Sequence, residues 1–589
     1  MKRIINSILI IILAGNIIMF HSCKEDFLEE QPPGTAAGNA LASPNGVEGL
    51  LIGAYDMLTG DWNGFGSCMA TDWTYGAGAS DNAYKGTSAS DQPDFNQVEK
   101  YQTLPTNSYM SARWRDCYNG VARTNDVLNF LRQAQEGSNP LSEKRAKEVR
   151  GEAKFLRAWY HFKATRIWEN IPYLKTEEEM GKPTEEVSND SPAWDEIEED
   201  LQSAIDNLPE ESPNGEPGRA DKYAAMAVKA HVHLFQGEYQ EAKPLLDNII
   251  NNGGFALADD YRDNYRTETE NNVESLFEIQ ISASAEDGGV LNANQLSLTG
   301  MVFPYDTPGP TGWCFFQPSQ NLFEAFQTTP GGLPILDESD RDELKSDMGI
   351  KSSEEFIPTT HPMDPRVDWT IARRGIPYKG YGVFTGNSQI RSQPNGGPYM
   401  TRKYTHDADE PSSQGGTRNM RNFRAYRYSH VLLWRAEVAV EENDLDYARQ
   451  LVNMIRERAQ NSEYVKGNVT TYVLDDQPTE EEINWEEDAA NYEISTYPSD
   501  ADAFSSQSKA RKAVRLEERL EFATEGLRYF LLRCWGIAEE ELNAYIADDS
   551  DFRSFLRGVS YDSEQDDYWP LPQGQLDIQQ VLKQDPAYE

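Results

Sequence analysis

Between Glu148 and Trp168, apolar side chains recur at Val149, Ala153, Leu156, Tyr160, Ala164 and Ile167. Steps of three and four put them on one face of a helix. Phe155, Trp159 and Phe162 form a second stripe, so the helix is expected to lie buried between others. Trp194, Ile197, Leu201, Ile205 and Leu208 repeat the spacing and end at Pro209. Helical patterns also cover an apolar stretch from Val47 to Leu58 after Pro44, a run from about Ser108 to Gln135, and one from Ala510 to about Trp535. The predicted fold class is mainly α.

Residues 221–252 predict a helical hairpin: Ala224 to Phe235, a turn at Gly237, then Tyr239, Ala242, Leu245, Leu246 and Ile249. The pattern returns in the second half of the chain. Gly237 corresponds to Asn443, Tyr239 to Leu445, Ala242 to Ala448, Leu245 to Leu451, Leu246 to Val452 and Ile249 to Ile455. Gly and Asn both tolerate the left-handed backbone that ends a helix. A small turn residue, then an aromatic or Leu, then Ala, is the tetratricopeptide style of helix pair. Repeated hairpins are therefore expected over about 44–254 and 426–540, within a single domain covering 44–589. Between them, about 255–425, runs a segment rich in Gly, Pro, Asn and aromatics, with short strands such as Leu276 to Ile281. A loop-rich insertion in a helical scaffold is usually functional or disordered. A second insert, about 463–505, is acidic and poor in apolar residues.

Charge and the N-terminus change the picture. The chain has 589 residues, 54 Lys plus Arg against 97 Asp plus Glu, and a formal net charge of −43. Such acidity argues against nucleic acid, whose phosphates need clustered cations. Lys2 and Arg3 precede an apolar run from Ile4 to Phe20, then His21, Ser22 and Cys23, with Lys24, Glu25 and Asp26 following at once. This is a secretory layout. A Cys directly after a small residue marks the lipoprotein variant, in which residues 1–22 are removed and Cys23 carries lipid. Phe20 stands where Leu is usual. The alternative is an uncleaved anchor helix, since the run is marginally long enough to span a bilayer. Residues 23–43 read as an acidic tether. Cys68, Cys117, Cys314 and Cys534 are widely spaced and resemble neither a zinc site nor a disulfide framework, although one or two bridges remain possible.

Several segments together resemble the SusD/RagB family of Bacteroidota outer-membrane nutrient-binding lipoproteins. Glu152 to Phe162 (EAKFLRAWYHF), running on to Ile171-Pro172-Tyr173, is similar to the family's most recognisable helix, with Glu169-Asn170 in place of the usual glycines. Arg515, Glu517, Glu518, Arg519, Glu521, Gly526, Arg528, Arg533 and Trp535 resemble a second motif, with Leu531 where Asp is common. Trp569-Pro570-Leu571-Pro572-Gln573 before Leu576 is like its C-terminal motif, with Gln575 in place of Glu. The resemblance implies an α-helical body with tetratricopeptide-like helix pairs and a loop-rich ligand-binding side. It implies lipid anchoring on the outer membrane, facing the cell exterior. It also implies a partner, a SusC-like TonB-dependent transporter over which the chain sits as a lid. The implied activity is non-enzymatic capture of an oligosaccharide or polysaccharide, or of peptides in the RagB branch.

No P-loop, dinucleotide fingerprint or HExxH motif appears. His231 and His233 point to different sides of a predicted helix, and the acidic run Asp337 to Glu343 lacks the EF-hand's ligand order. No metal or cofactor is expected. Glu518, Arg519, Glu521 and Arg528 read as helix-packing ion pairs, and Asp364-Pro365-Arg366 as loop structure. A sugar offers apolar C–H faces to aromatic rings and hydroxyls to polar side chains. Three loop segments have that mix. Trp73, Tyr75, Asp81, Asn82 and Tyr84 are candidates from the first, which also holds Trp62; Tyr305 and Trp313 from the second; Arg391 from the third. Trp73 and Trp313 are the leading pair. A glycoside hydrolase would instead need two carboxylates about 5–10 Å apart across a cleft. A purely structural scaffold would bind neither glycan nor peptide.

Overall fold

The computed structural model describes residues 38–60, 66–281, 301–410, 412–413, 418–419 and 421–589. Cys23 and Trp62 lie outside the described residues. The principal helices are α1 (Pro44–Asp56), α2 (Ser108–Glu136), α3 (Glu143–Trp168), α4 (Trp194–Asn207), α5 (Lys222–Phe235), α6 (Tyr239–Asn252), α7 (Tyr428–Glu441), α8 (Leu445–Asn461), α9 (Gln507–Glu521), α10 (Arg528–Cys534) and α11 (Ala538–Asp549). From α1 to α8 each packs on the next, and α9 lies against both α7 and α8.

α3 occupies the centre, and every side chain from Phe155 to Trp168 is buried. Its two apolar stripes are thereby both used. The hairpins α5–α6 and α7–α8 turn identically. Gly237 (φ +74°) and Asn443 (φ +60°) are both left-handed. In each, the following amide donates to the carbonyl five residues back, Glu238 to His233 and Asp444 to Ala439, both at 2.8 Å. This double closure satisfies carbonyls that a helix end otherwise leaves unpaired. Ala242 and Ala448 are fully buried where α6 and α8 meet their neighbours.

The helix expected over Ala510–Trp535 instead breaks between α9 and α10, at Thr524 (φ +66°) and Gly526 (φ +81°). A side chain on Gly526 would collide with the Thr71 carbonyl oxygen, and one on Gly76 with the Gly526 carbonyl. The corner thus lets two backbones touch, a need that helical periodicity does not register.

Short strands organise the loops: β1 (Ala83–Gly86), β2 (Ser275–Ile279), β3 (Phe315–Pro318), β4 (Phe423–Arg427), β5 (Lys466–Val469) and β6 (Ile483–Asp488). β2 pairs antiparallel with β4, Ser275 opposite Arg427 and Ile279 opposite Phe423. The long insertion therefore leaves and re-enters the helical body at one neck. β5 and β6 form a hairpin in the acidic insert.

A buried ion network ties that neck to the helices. Glu274 meets Arg427 at 3.0 Å and Arg458 of α8 at 3.2 Å. Both arginines also reach Glu521 of α9. Arg366 bonds Asp364 (2.7 Å), Glu517 (2.7 Å) and Glu521 (3.0 Å), and Arg456 bonds Glu517 at 3.0 Å. Asp364-Pro365-Arg366 is thus a clamp within the network as well as a loop. Of the residues expected as helix-packing pairs, Arg519 and Arg528 both bind Asp81. Glu518 differs: among the described residues neither carboxylate oxygen has a hydrogen-bond partner. No disulfide joins Cys68, Cys117, Cys314 and Cys534 to one another, which removes the expected possibility of bridges among them.

Candidate ligand-binding surface

β1 pairs antiparallel with β3, setting Tyr84 opposite Gln317 and Gly86 opposite Phe315. The first and second aromatic loop segments are therefore neighbours, although far apart in sequence. Most of their shared surface is turned inward. The Trp73 ring lies 5.0 Å from that of Phe95 and 4.8 Å from that of Phe316, with no exposure. The Tyr75 hydroxyl donates to the carbonyls of Gly66 (2.7 Å) and Tyr109 (3.0 Å). Burial pushes the Asp81 carboxyl up, but Arg519 and Arg528 beside it hold it down at about 2. The Asn82 side-chain oxygen accepts from Arg519 at 2.9 Å. The Tyr84 hydroxyl donates to Asp549 at 2.6 Å, beneath the Arg553 guanidinium 3.8 Å from its ring.

Trp73, Tyr75, Asp81, Asn82 and Tyr84, expected as ligand contacts, are at most 2% exposed. That expectation is corrected: packing and internal partners consume these side chains, which build the frame below the surface. Within the third segment, which runs from Arg373 to Arg402, Arg373 pairs with Asp368 at 2.8 Å, and Arg374 donates to the carbonyl of Ser352 at 3.0 Å. Tyr378 and Tyr399 are likewise buried.

Tyr305, Trp313 and Arg391 come together at the surface. Tyr305 is 47% exposed and Trp313 50%. The Arg391 guanidinium sits 4.5 Å from the Trp313 ring centroid and 6.0 Å from that of Tyr305, within cation–π range of both. It is anchored by an ion pair to Asp91 and a 2.9 Å bond to the Thr87 hydroxyl. Thr87 also donates to Asp91 at 2.9 Å.

Backbone bonds fix this arrangement. Trp313 N–H reaches the Met301 carbonyl (3.2 Å), Cys314 that of Phe303 (3.1 Å) and Gly312 that of Pro304 (2.7 Å). Tyr305 N–H donates to Gln389 (2.9 Å), joining the loop to the turn that carries Arg391. Cys314 (φ +56°) and Phe316 (φ +60°) are left-handed, so strand alternation fails here. Trp313 points out while Phe315 and Phe316 point in. Two half-exposed rings beside a held cation can stack on sugar C–H surfaces and hydrogen-bond their rims. Asp91 and the fully buried Thr87 hold Arg391 from below and were not among the expected residues. Their one signal was membership of a polar Gly/Asn/Asp/Ser-rich segment.

The model of the SusD family matches residues 273–588, and a second, described as starch-binding associating with outer membrane, matches residues 26–234. A SusD-like protein of Bacteroides ovatus is 24% identical over 284 residues, 46% of this chain and 49% of its own length. The chain spans about half the length of the curated relatives it matches first. A SusD-like protein structure from Bacteroides fragilis aligns over 94% of this chain and 99% of its own, at 20% identity and a TM-score of 0.68. Surface glycan-binding protein A from Bacteroides thetaiotaomicron, in complex with laminarihexaose, aligns over 92% and 99%, at 19% identity and a TM-score of 0.62. These likenesses establish a common mainly α fold. With family models matched over most of its length, the chain belongs to the SusD family.

Proposed function

We propose that this chain is a non-enzymatic binding protein at the outer membrane that holds an oligosaccharide or polysaccharide against Tyr305, Trp313 and Arg391. The observation that carries the reading is the exposed pair of rings sharing one anchored guanidinium. Support also comes from relatives of like fold described as binding laminarin or solved with laminarihexaose. Lipid on Cys23 would tether the body to the outer face of the membrane. Delivery to a SusC-like TonB-dependent transporter, with this chain as its lid, is the corresponding partnership, and the helix pairs would be its tetratricopeptide-like side.

The test is calorimetric titration of the full chain with laminarin and a panel of neutral and acidic polysaccharides, with product analysis of each mixture. Saturable binding without shortened products, weakened by Tyr305→Ala and Trp313→Ala, is expected. Unchanged affinity in both variants would remove the platform. Released oligosaccharides would replace the reading with a hydrolase, and binding of peptides alone would replace the ligand class.

A further inference from the structure

On the helical side of the molecule, three side chains of metal-ligating type converge. Glu198 comes from α4, His233 from the last turn of α5, and Glu238 from just beyond the Gly237 turn. His233 Nδ1 lies 2.7 Å from a Glu238 oxygen and 3.7 Å from a Glu198 oxygen. The three ligand atoms all fall within 4.8 Å of one another.

The convergence is built by the fold. The left-handed Gly237 and the bond from Glu238 N–H to the His233 carbonyl turn the chain back over the end of α5, carrying Glu238 onto the imidazole. Packing of α4 on α5 brings in Glu198. Gln236 donates at 2.8 Å to the same Glu198 oxygen that faces His233 and at 3.3 Å to the Val232 carbonyl, orienting that ligand. Such outer partners orient first ligands in metal sites. His231 takes no part; its Nδ1 meets the Tyr426 hydroxyl at 2.6 Å on the other side of α5.

We propose that Glu198, His233 and Glu238 form a site for a divalent transition ion of the zinc class. Ligand atoms bound tetrahedrally to zinc lie about 3.4 Å apart, so the three need shift by only about 1 Å. One imidazole nitrogen with two carboxylates suits zinc and its first-row neighbours better than calcium or magnesium, which prefer oxygen alone. His233 is nearly buried while Glu238 has 43% of its side chain exposed, leaving an open side for ion entry and a water ligand. The carbonyl end of α5 adds negative potential. The nearby cation Lys229 is turned to Gln202, to which it donates at 2.9 Å.

The ion would staple α4 to the α5–α6 turn and is independent of the glycan surface. The test titrates the full chain, untagged and in detergent, with Co2+ and then Zn2+. It follows the visible absorption of bound Co2+, its displacement by Zn2+, and the melting temperature. One equivalent of each ion with a raised melting temperature is expected. Glu238→Gln and His233→Ala should each weaken binding about tenfold or more, while His361→Ala leaves it unchanged. Glu238→Gln changes an exposed side chain, so its fold is preserved even where His233→Ala is not. Absence of saturable binding, or binding unaltered by Glu238→Gln and by a folded His233→Ala, would overturn the site.

Discussion

Arg366 donates to the Glu521 carboxylate across 3.0 Å, binding the loop-rich insertion to α9. Arg427 from the neck and Arg458 from α8 meet the same carboxylate, and all four side chains are at most 3% exposed. Removing one partner of a buried ion cluster strands the others without compensation. Glu521→Ala should cost about 3–5 kcal/mol. The check is a urea midpoint that falls while the slope of the transition holds. An unchanged midpoint would mean the three arginines find other partners.

Acid should act on the same group. Burial raises the Glu521 carboxyl, but Arg458, Arg427 and Arg366 outweigh it and hold it below its ordinary range. A depressed carboxyl gives stability that is complete above the unfolded value, about 4.3, and lost as pH falls towards the folded one. Below about pH 4 the parent should therefore lose stability faster than Glu521→Gln, measured by melting temperature.

Glu518 should show the opposite sign. Burial, then repulsion from Glu437, raises its carboxyl well above the ordinary value. The folded state then keeps a proton that the unfolded chain has released. Stability declines as pH rises from about 4.3 until the folded carboxyl ionises. Glu518→Gln should flatten this slope above about pH 4.3. Parallel curves for parent and variant would contradict the buried, unpartnered carboxyl.

Trp73 and Trp313 separate frame from surface. Trp73→Ala empties a closed aromatic cluster and should cost about 3–5 kcal/mol of stability. Trp313→Ala, with its ring half exposed, should leave folding nearly intact. It should weaken glycan binding by about 1–2 kcal/mol, roughly 5- to 30-fold. Melting and titration of both variants decide it; a stability loss at Trp313 with unaltered affinity would reverse the assignment.

Arg391→Gln should lower glycan affinity by about 1 kcal/mol, roughly fivefold, through loss of a held donor between the rings. Its pair with Asp91 is partly solvent-exposed, so the change in stability should stay within about 1 kcal/mol. Asp91→Asn offers a second measurement: affinity for acidic glycans should rise once the guanidinium charge is unshared.

The helical half was legible because helices report on their own neighbours. The stripes of Val149–Ile167 specify α3, and Gly237 with Asn443 specify matching turns. The break after Glu521 was not legible, because it answers a backbone contact between Gly526 and Thr71 rather than any local pattern. The ligand surface was half legible. Trp73 and Trp313 sit in similar polar, aromatic stretches, yet one has no exposure and the other 50%. What separates them is the long-range pairing of β1 with β3 and two left-handed residues, Cys314 and Phe316. Neither leaves a periodic trace.

The pairing of Ser275–Ile279 with Phe423–Arg427 bears on how such a chain can diversify. Because both ends of the excursion are fastened side by side, the helical body meets the same two strands whatever length runs between them. Lengthening a closed loop is thermodynamically cheap, about 0.6 kcal/mol per doubling. Recognition can therefore be rewritten by exchanging loop tips such as 301–313, with the scaffold's own sequence left alone. Limits are set where the excursion reaches back into the body: Asp364 and Arg366 in its charge network, and β3 paired with β1. Transplants that keep those two residues and the paired strands should fold, and those that discard them should not.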